Sequence, residues 1–543
     1  MKYFIFIIGN IALIFTIASA LRSTERCGKN YDNQKCDSGD CCSKYGYCGT
    51  SEEHCSIDEG CQSEFGECKD YSSKNGRCGK NYDNQKCDSG ECCSKYGYCG
   101  TSEEHCSIEE GCQSDFGECK DYSGDSKTTT IKAIGMINTG PGADCSTEMT
   151  IAFHSPYSEN FVEYTEASDT TFTNAKKISV TGTYRDENRQ FVDENGKSVT
   201  FYSCKAYLEN LSPDTKYIYH VGNNKETSNV MNFKTAGTNG KFSFAWLADV
   251  HTASKSDTYR ENIKTVLNRM KSIDFVMFSG DITDVGNQYH EWEYFSGNPS
   301  ISNYMYATIA GNHDYYIRPK EDIKYISNKW FIDYAATPKT NTINDNKLDP
   351  SNYWFIYNKV LFINIDSTQN DSSKENEIDV SKQIKWFEDV VENAEGKYDY
   401  IIVQQHFSYL VDKEIKYGRF TKWSPIFLKY RVDLALGADS HEYYRSAPLY
   451  WTGTKTSQDT LTEDTVEVSE DLGTVYMTAF QLDGSGLSSG VKNKATFLKD
   501  LSFYAGGGKG ACKIDITKER IKVSLITSDS DEADTVTINK KRR

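Results

Sequence analysis

Five apolar runs in the second half of the chain predict buried strands. The runs are residues 242–248, 275–278, 306–310, 400–403 and 432–436. Short apolar runs that alternate with helix-length segments are typical of parallel strands in an α/β sheet. Residues 258–272 have the apolar spacing of a helix, as a strand–helix–strand crossover requires. We therefore predict an α/β domain over residues 241–527, followed by a charged C-terminal tail over residues 528–543.

Each apolar run leads into a polar motif at its carboxyl end. The motifs are D-V-H at 249–251, G-D-I-T-D at 280–284, G-N-H-D at 311–314, V-Q-Q-H at 403–406 and D-S-H at 439–441. Open α/β sheets bind ligands beyond the carboxyl ends of their strands, so these motifs are expected to converge. Carboxylates, imidazoles and one amide in such a place are the ligands of a two-metal hydrolytic site. The pattern predicts a metal-dependent phosphoesterase.

Short alternating segments between residues 131 and 237 predict a different kind of domain. Residues 149–153, 161–164 and 217–221 alternate as strands do, and turn residues separate them. The stretch L-S-P-D-T-K-Y-I-Y at 211–219 resembles the late hairpin of fibronectin type III-like β-sandwiches, in which a tyrosine packs across a strand corner. We interpret this domain as a structural spacer that helps to wall the active site. Cys145 and Cys204 are candidates for a disulfide, which would leave Cys512 unpaired.

Most of the nineteen cysteines lie before residue 120, in two sets of eight with the same spacing. The segments that contain them, residues 26–72 and 77–123, are almost identical in sequence. Each segment has too few apolar residues for a hydrophobic core, so disulfides must hold it together. Eight cysteines permit many pairings. A thiolate metal cluster is the alternative, and the export signal at the start of the chain disfavours it.

Within each segment, the run C-S-K-Y-G-Y-C places two tyrosines around a glycine. A cross-linked backbone would hold these rings exposed, as a stacking surface for sugar rings. The cysteine frame, with its Cys-Cys pair and the following G-T-S, resembles the hevein-like (type 1) chitin-binding domain. The resemblance implies that chitin and N-acetylglucosamine oligomers are partners. The implied sugar-binding residues are Ser43, Tyr45, Tyr47 and His54, and in the second copy Ser94, Tyr96, Tyr98 and His105.

The same resemblance implies how the cysteines pair. In the first module the implied disulfides are Cys27–Cys42, Cys36–Cys48, Cys41–Cys55 and Cys61–Cys68. In the second they are Cys78–Cys93, Cys87–Cys99, Cys92–Cys106 and Cys112–Cys119. The family usually has an aromatic residue where this chain has His54 and His105, and histidine can still stack on a sugar. Residues 69–75 and 120–130 are expected to be flexible linkers, with 124–130 leading into the sandwich.

The first twenty residues predict export. A lysine precedes an apolar run at 3–17, and A-S-A at 18–20 matches a signal-peptidase site. A membrane anchor is the alternative, but the stretch is short. The formal net charge of −17 argues against nucleic acid or an anionic membrane as a partner, because both attract positive patches. We expect a secreted protein, extracellular or associated with a cell wall.

The five motifs, in their order, resemble the calcineurin-like metallophosphoesterase superfamily, and the preceding sandwich resembles its purple acid phosphatase branch. The resemblance implies a four-layer α/β/β/α fold with two divalent metal ions, Fe, Mn or Zn, at the strand ends. The first metal would be held by Asp249, His251, Asp281 and His441. The second would be held by Asp281, Asn312, His406 and Asp439, with Asp281 bridging. His313 would assist the transferring phosphoryl group or the leaving alcohol, and Asp314 would orient its imidazole.

Three departures from the plant-type pattern concern the metals. D-V-H replaces Asp-x-Gly, Asp284 replaces a metal-binding tyrosine, and A-D-S-H at 438–441 replaces Gly-His-x-His. Without the tyrosinate we expect no purple colour. Asp439 suits harder cations such as Mn²⁺, but its side chain is shorter than that of histidine. A further active-site histidine of plant-type enzymes has no counterpart between His406 and His441.

Together these patterns predict a secreted phosphomonoesterase that acts on a phosphate ester while two hevein-like modules tether it to chitin. Phosphodiester cleavage within the same superfamily is one alternative. The other is a chitin-binding surface protein with an inactive phosphatase-like scaffold, since Asp439 replaces an imidazole.

Overall fold

The fold is described from a computed structural model of the chain. The described residues are 26–57, 59–69, 76–82, 84–108, 110–120, 128–252, 258–317, 327–370, 380–410, 419–453, 466–482, 502–505, 510–527 and 530–541. The predicted signal peptide at 1–20 lies outside them. The chain divides into two compact units, 1–126 and 127–543. Among the described residues, no helix has the length and apolar character needed to cross a membrane.

The first unit contains two disulfide-bonded modules of the same design. The first has strands β1 (Cys41–Cys42) and β2 (Cys48–Gly49) and helix α1 (Glu52–Cys55). The second has β3 (Cys92–Cys93), β4 (Cys99–Gly100) and α2 (Glu103–Cys106). The apolar cluster of each module consists of cysteines and a single phenylalanine, Phe65 or Phe116. Disulfides therefore replace a hydrophobic core here.

The eight disulfides link the pairs that the hevein-like resemblance implies. In the first module they are Cys27–Cys42, Cys36–Cys48, Cys41–Cys55 and Cys61–Cys68. In the second they are Cys78–Cys93, Cys87–Cys99, Cys92–Cys106 and Cys112–Cys119.

The second unit begins with a β-sandwich. Its strands are β5 (Thr128–Thr130), β6 (Gly135–Pro141), β7 (Met149–Ser155), β8 (Glu159–Glu166), β9 (Lys176–Thr181), β10 (Thr183–Arg185), β11 (Ser198–Leu208), β12 (Lys216–Gly222) and β13 (Met231–Lys234). One face is a four-stranded sheet in the order β13-β12-β8-β9. At the expected corner, the Tyr217 hydroxyl accepts a 2.9 Å hydrogen bond from the backbone N–H of Ser212.

The α/β region after residue 241 contributes five helices and the remaining strands of the described chain. The helices are α3 (Thr258–Met270), α4 (Tyr289–Ser296), α5 (Lys329–Tyr334), α6 (Val380–Asn393) and α7 (Arg419–Tyr430). The strands of the first half are β14 (Phe242–Leu247), β15 (Phe275–Phe278), β16 (Met305–Thr308), β17 (Thr342–Ile343), β18 (Asn346–Lys347), β19 (Tyr353–Tyr357) and β20 (Val360–Ile365). Those of the second half are β21 (Tyr400–Phe407), β22 (Leu434–Ala438), β23 (Tyr443–Ser446), β24 (Leu449–Trp451), β25 (Val466–Val468), β26 (Val475–Thr478), β27 (Ser502–Ala505), β28 (Gly510–Ile516), β29 (Arg520–Thr527) and β30 (Asp534–Asn539).

Two large sheets face each other across a shared core. Among the described strands, one sheet has eleven: ten follow the path β10-β11-β7-β6-β16-β15-β14-β28-β29-β30, and β5 pairs with β11 beside this path. The other sheet runs β19-β20-β21-β22-β26-β23-β27. Alternate residues of β14 point into two different hydrophobic cores. Phe244 and Trp246 pack between the sheets, while Ala245 and Leu247 pack with residues of α3 and α4. Helices α6 and α7 cover the second sheet in the same way. The predicted four-layer α/β/β/α fold is confirmed.

The sandwich is not a separate spacer, because its sheet continues into the first large sheet of the α/β region. Strand β6 pairs in parallel with β16 where Thr139 lies opposite Met305. Both regions also belong to the same compact unit. The spacer interpretation was therefore wrong in this respect: backbone hydrogen bonds join the two parts into one sheet.

Both ends of the second unit contain strands where the sequence was interpreted as linker or tail. Residues 128–130 of the predicted linker form β5, which pairs in parallel with Ser198–Thr200 of β11. Residues 534–539 of the predicted tail form β30, which pairs with β29. Asp534 and Ile538 of β30 are buried while the residues beside them are more exposed, the period-two pattern of an edge strand. The charges around β30 obscured this pattern.

The candidate disulfide between Cys145 and Cys204 is absent, and Cys145, Cys204 and Cys512 are all free and buried. Cys204 lies opposite Phe153 in the β11–β7 pair, whereas Cys145 precedes Met149, the first residue of β7. Four strand residues, roughly 13 Å, separate Phe153 from Met149. Disulfide-bonded cysteines need Cα atoms within about 7 Å of each other. Cys145 and Cys204 lie near opposite ends of β7 and are therefore too far apart to bond.

Candidate metal centre and exposed tyrosine surface

The five polar motifs meet where the carboxyl ends of the two sheets converge. Strands β14, β15 and β16 are parallel neighbours, so the motifs that follow them lie side by side. Strands β21 and β22 are parallel neighbours in the facing sheet. A register shift between Gln404 and Phe407 adds one residue to β21 at this point. An extra residue of this kind is a β-bulge, which changes the direction of nearby side chains, and this bulge includes His406.

Five of the candidate ligands have left-handed backbone. The φ angles are 49° for Asp249, 46° for His251, 49° for Asp281, 68° for Asp439 and 58° for His441. A positive φ is uncommon in residues other than glycine and costs on the order of 1–3 kcal/mol per residue. Strained backbone of this kind clusters at functional sites, where the surrounding structure maintains it. Its recurrence at these residues points to a common function.

The first ligand group consists of Asp249, His251, Asp281 and His441, whose ligand atoms all lie within 4.8 Å of one another. The Nε2 atoms of His251 and His441 are 3.3 Å apart. His441 Nε2 lies 3.8 Å from Asp249 Oδ1, and His251 Nε2 lies 3.6 Å from Asp281 Oδ2. Two imidazoles and two carboxylates thus face one point.

The second ligand group surrounds His406, whose side chain is fully buried. Its Nε2 lies 2.9 Å from Asn312 Oδ1, 3.3 Å from Asp281 Oδ1 and 3.8 Å from Asp439 Oδ1. The other ring nitrogen, Nδ1, is 2.7 Å from the carbonyl oxygen of Ser279 and can donate to it. A backbone carbonyl at Nδ1 favours the tautomer in which Nε2 is free to bind a metal.

Asp281 belongs to both groups because its two carboxylate oxygens face different ways. Oδ2 faces His251, while Oδ1 faces His406 and also accepts a 2.8 Å hydrogen bond from the backbone N–H of His313. A carboxylate in this position can bridge two cations. Gly311 makes the approach possible, since a Cβ there would lie 2.2 Å from both the backbone nitrogen and Oδ1 of Asp281.

The electrostatics of the centre favour a bound cation. Burial raises the pKa of the Asp249 carboxyl to about 8, and the nearby charge of Asp281 adds to the effect. Burial opposes the charged form of His251, but Asp284 and Asp281 raise its pKa to about 9. Asp249 Oδ2 is buried without a hydrogen-bond partner. An orphaned carboxylate oxygen is costly unless a cation satisfies it, so the residues present fit a metal centre.

His313 lies at the edge of the centre and is partly exposed. Its Nδ1 is 2.8 Å from the carbonyl oxygen of Asp284, and its Nε2 is 4.0 Å from Asp281 Oδ2. A proton on Nδ1 that is donated to the carbonyl leaves Nε2 facing the centre. Tyr316 packs against the ring with centroids 4.5 Å apart.

Asp314 does not orient His313, contrary to expectation. It is fully buried, and its carboxylate accepts hydrogen bonds from the backbone N–H groups of Gly311 at 2.8 Å and Thr283 at 3.0 Å. It therefore ties the loop after β15 to the loop after β16. The carbonyl of Asp284 takes the orienting position instead, because the 3-10 turn His313–Tyr315 directs the neighbouring side chains of 313 and 314 apart.

Two neighbours of the centre were not assigned a role from the sequence. Asp284 Oδ1 lies 3.5 Å from His251 Nδ1 and 3.8 Å from His313 Nδ1. The Tyr316 hydroxyl accepts a 2.9 Å hydrogen bond from Asn312 Nδ2, which directs the amide oxygen of Asn312 towards His406. Asp284 was visible as the last residue of its motif, whereas nothing in the sequence around Tyr316 indicated this contact.

In the first unit, each module has one largely exposed tyrosine and a second that is less exposed. Tyr45 and Tyr96 have exposed fractions of 70% and 71%. Tyr47 is 39% exposed, and the Arg26 guanidinium covers its ring at 3.7 Å. Arg77 covers Tyr98 at 3.5 Å in the second module. The exposed rings can stack on planar or pyranose faces.

The other predicted sugar-binding residues are partly engaged in local structure. Ser43 is buried, and its hydroxyl oxygen accepts a hydrogen bond from the backbone N–H of Tyr47 at 3.2 Å. Ser94 does the same for Tyr98 at 3.1 Å. The rings of His54 and His105 lie beside the serines at 51 and 102, with Nδ1–Oγ distances of 2.6 and 2.7 Å. Their contact with a sugar stays a prediction.

Three family descriptions match the chain. "Chitin recognition protein" matches residues 26–68 and 77–119. "Purple acid Phosphatase, N-terminal domain" matches residues 137–235, and "Calcineurin-like phosphoesterase" matches residues 242–443.

Individual relatives match separate parts of the chain. The non-secreted LysM effector LCP1 of Gibberella moniliformis is 46% identical over 86 residues, which are 15% of this chain and only 11% of that protein. An uncharacterized protein of Mycobacterium tuberculosis is 24% identical over 392 residues, covering 65% of this chain and 70% of its own length. The solved purple acid phosphatase PPD1 from yellow lupin (Lupinus luteus) seeds has a TM-score of 0.54 at 16% identity, covering 76% of this chain and 75% of that one. The last match shows a shared fold.

We predict that Gly311→Ala weakens metal binding at least about tenfold, because the new methyl group would displace the Asp281 carboxylate. Metal content after dialysis, measured by inductively coupled plasma mass spectrometry, tests this. Gly135→Ala is the control, since a Cβ there has no heavy atom within 4 Å. Unchanged metal content in a folded Gly311→Ala protein would contradict the assignment of Asp281.

Proposed function

The chain carries two chitin-recognition modules, a purple acid phosphatase N-terminal domain and a calcineurin-like phosphoesterase domain, and from this combination we propose a secreted phosphomonoesterase that is held on chitin. The two phosphatase-related domains support a metallophosphoesterase. The observation that carries the catalytic part of the proposal is the position of Asp281, whose two carboxylate oxygens face two separate ligand groups.

The proposed chemistry divides between the metals and the side chains. When bound, two divalent cations would activate a water molecule and neutralise charge on the phosphoryl group. The first would be held by Asp249, His251, Asp281 and His441, and the second by Asp281, Asn312, His406 and Asp439. Fe, Mn and Zn all accept such ligands, and the carboxylate of Asp439 favours a harder ion such as Mn²⁺.

His313 is the proposed proton donor. Its Nδ1–H donates to the carbonyl of Asp284, so in the imidazolium form the second proton, on Nε2, points into the centre. The ring is partly exposed, which leaves room for a substrate beside it. From this position Nε2 can protonate the oxygen of the leaving alcohol. Monoesters are the proposed substrates because the fold matches a purple acid phosphatase.

We expect Asp281→Asn to lower kcat/KM for 4-nitrophenyl phosphate at least about 100-fold and to reduce bound metal, because the amide cannot bridge two cations. Asp471→Asn, an exposed carboxylate with the same charge change, should leave both unchanged.

An inactive wild-type protein, tested with Fe, Mn and Zn from acid to neutral pH, would contradict the proposal and favour a catalytically inactive scaffold. Hydrolysis of bis(4-nitrophenyl) phosphate without hydrolysis of the monoester would identify a phosphodiesterase instead.

We expect His313→Ala to slow β-glycerophosphate hydrolysis by about 10²–10⁴ and 4-nitrophenyl phosphate hydrolysis far less, because only the alkoxide needs a proton to leave. Metal content should stay at the wild-type value, since His313 is not a proposed ligand. Equal losses for both esters, or loss of metal, would show that His313 has a different role.

The first unit is proposed to bind chitin, with N-acetylglucosamine rings stacking on Tyr45 and Tyr96 in particular. Two modules in tandem would add avidity on an insoluble polymer. Secretion is supported by the eight disulfides, which persist in oxidising compartments. The place of action would be extracellular or a cell wall.

We predict that reduction with dithiothreitol, followed by alkylation and resupply of metal, abolishes retention on chitin beads and preserves phosphatase activity. The described cysteines of the second unit are free, so its fold does not depend on disulfides. Without reduction, the double variant Tyr45→Ala/Tyr96→Ala should bind chitin at least about tenfold more weakly. Tyr184→Ala, an exposed tyrosine of the second unit, is the control. Retention by the reduced protein would contradict the assignment of chitin binding to the first unit.

A further inference from the structure

A cavity of about 600 Å³ lies over the outer face of strand β11, within the second unit. Cys204, Ala206 and Leu208 of this strand belong to the core between the sheets. Because side chains alternate along a strand, Ser203, Lys205 and Tyr207 face the opposite way. They form one wall of the cavity, and the segment 337–350 forms another. None of the candidate metal ligands lines it.

The cavity is lined by four cationic side chains and one carboxylate. The cations are Arg185, Lys205, Lys339 and Lys347, and the carboxylate is Asp333. Positive charge collects here although the chain as a whole carries −17.

Asp333 is already neutralised by arginines. Arg185 Nε donates to Oδ1 at 2.8 Å, and Arg189 Nε donates to Oδ2 at 2.6 Å. The Asp333 side chain is fully buried, so it offers no further oxygen to the cavity. One carboxylate between two guanidinium groups leaves a net positive charge at this wall.

The three lysines have no carboxylate of their own. Within the described ranges of the chain, Lys205, Lys339 and Lys347 form no ion pair with an acidic side chain. Lys339 Nζ instead lies 4.0 Å from the centroid of the Tyr207 ring. Burial lowers the pKa of Lys205 to about 8, partly offset by the charge of Asp333. Lys339 and Lys347 are exposed, whereas Lys205 is partly buried and loses part of its hydration. Cations that line one cavity repel each other, and a bound anion would relieve this repulsion.

We propose that this cavity binds a small ligand that carries a phosphate or sulfate group. Arginine and lysine are the side chains that bind such oxyanions most strongly, through charge-assisted hydrogen bonds. The volume is within the range of about 300–1,000 Å³ that holds small organic ligands. A bare oxyanion would fill little of it. The Tyr207 ring and the threonines Thr181 and Thr183 supply apolar and hydroxyl contacts for the rest of an ester.

Calorimetric titration of the full-length protein at low ionic strength tests the proposal. The probes are glucose 6-sulfate, which the proposed phosphatase activity does not consume, and inorganic phosphate. We expect glucose 6-sulfate to bind with a stoichiometry of one. The double variant Lys205→Met/Lys339→Gln should weaken that binding at least about tenfold, because two charge-assisted contacts are lost. Lys382→Gln, an exposed lysine on α6, is the matched control.

Asp281→Asn separates this cavity from the metal centre. Binding that persists in Asp281→Asn and is lost in the lysine double variant supports the cavity. Competition by inorganic phosphate at equal affinity in the Asp281→Asn protein would identify the free ion as the ligand, and a preference for the ester would identify an organic sulfate or phosphate. Absence of binding by either probe, or loss of binding in Asp281→Asn alone, would overturn the proposal.

Discussion

The carboxylate of Asp281 lies between two ligand groups. Much of the surrounding backbone is arranged to make this position possible. Its strand, β15, is the middle of three parallel neighbours, so the loops after β14 and β16 flank it. Gly311 approaches it more closely than any residue with a side chain would allow, and Gly280 does the same for His406, where a Cβ would lie 2.6 Å from Nδ1. Five of the candidate ligands adopt positive φ angles, and this strained backbone is the energetic cost of bringing the ligands together.

The parts of the fold that follow from a single local period were predictable. Apolar runs located β14, β15 and β16, and the spacing of Ile263, Val266 and Met270 located α3. The meeting of the five motifs was predictable because each ends or follows such a run, whereas the assignment of ligands to two metals came from the family resemblance and stays a prediction. Features that depend on a distant partner were not predictable. Asp314 bonds backbone N–H groups of two different loops, and β5 exists only because β11 lies beside it.

The two units reach stability by different physical means. The first has almost no apolar interior, so its stability depends on disulfides, which lower the conformational entropy of the unfolded chain. The second buries aromatic residues in quantity, with Phe244 and Phe275 stacked at 4.9 Å between its sheets. Its cysteines are buried as small apolar side chains rather than bonded. A change of redox state would therefore act on one unit and spare the other.

The backbone around the centre explains how Asp439 approaches the other candidate ligands with a short side chain. Asp439 is shorter than histidine, yet its Oδ1 comes within 3.8 Å of His406 Nε2. The backbone supplies the difference: Asp439 adopts φ 68°, and its N–H donates to Asp249 Oδ1 at 3.3 Å, which fixes the turn next to the first ligand group. Its side chain is 23% exposed, whereas that of Asp249 is fully buried. In the first ligand group the His441 side chain is 27% exposed, so each group has one ligand that water can reach while its other ligands are largely enclosed.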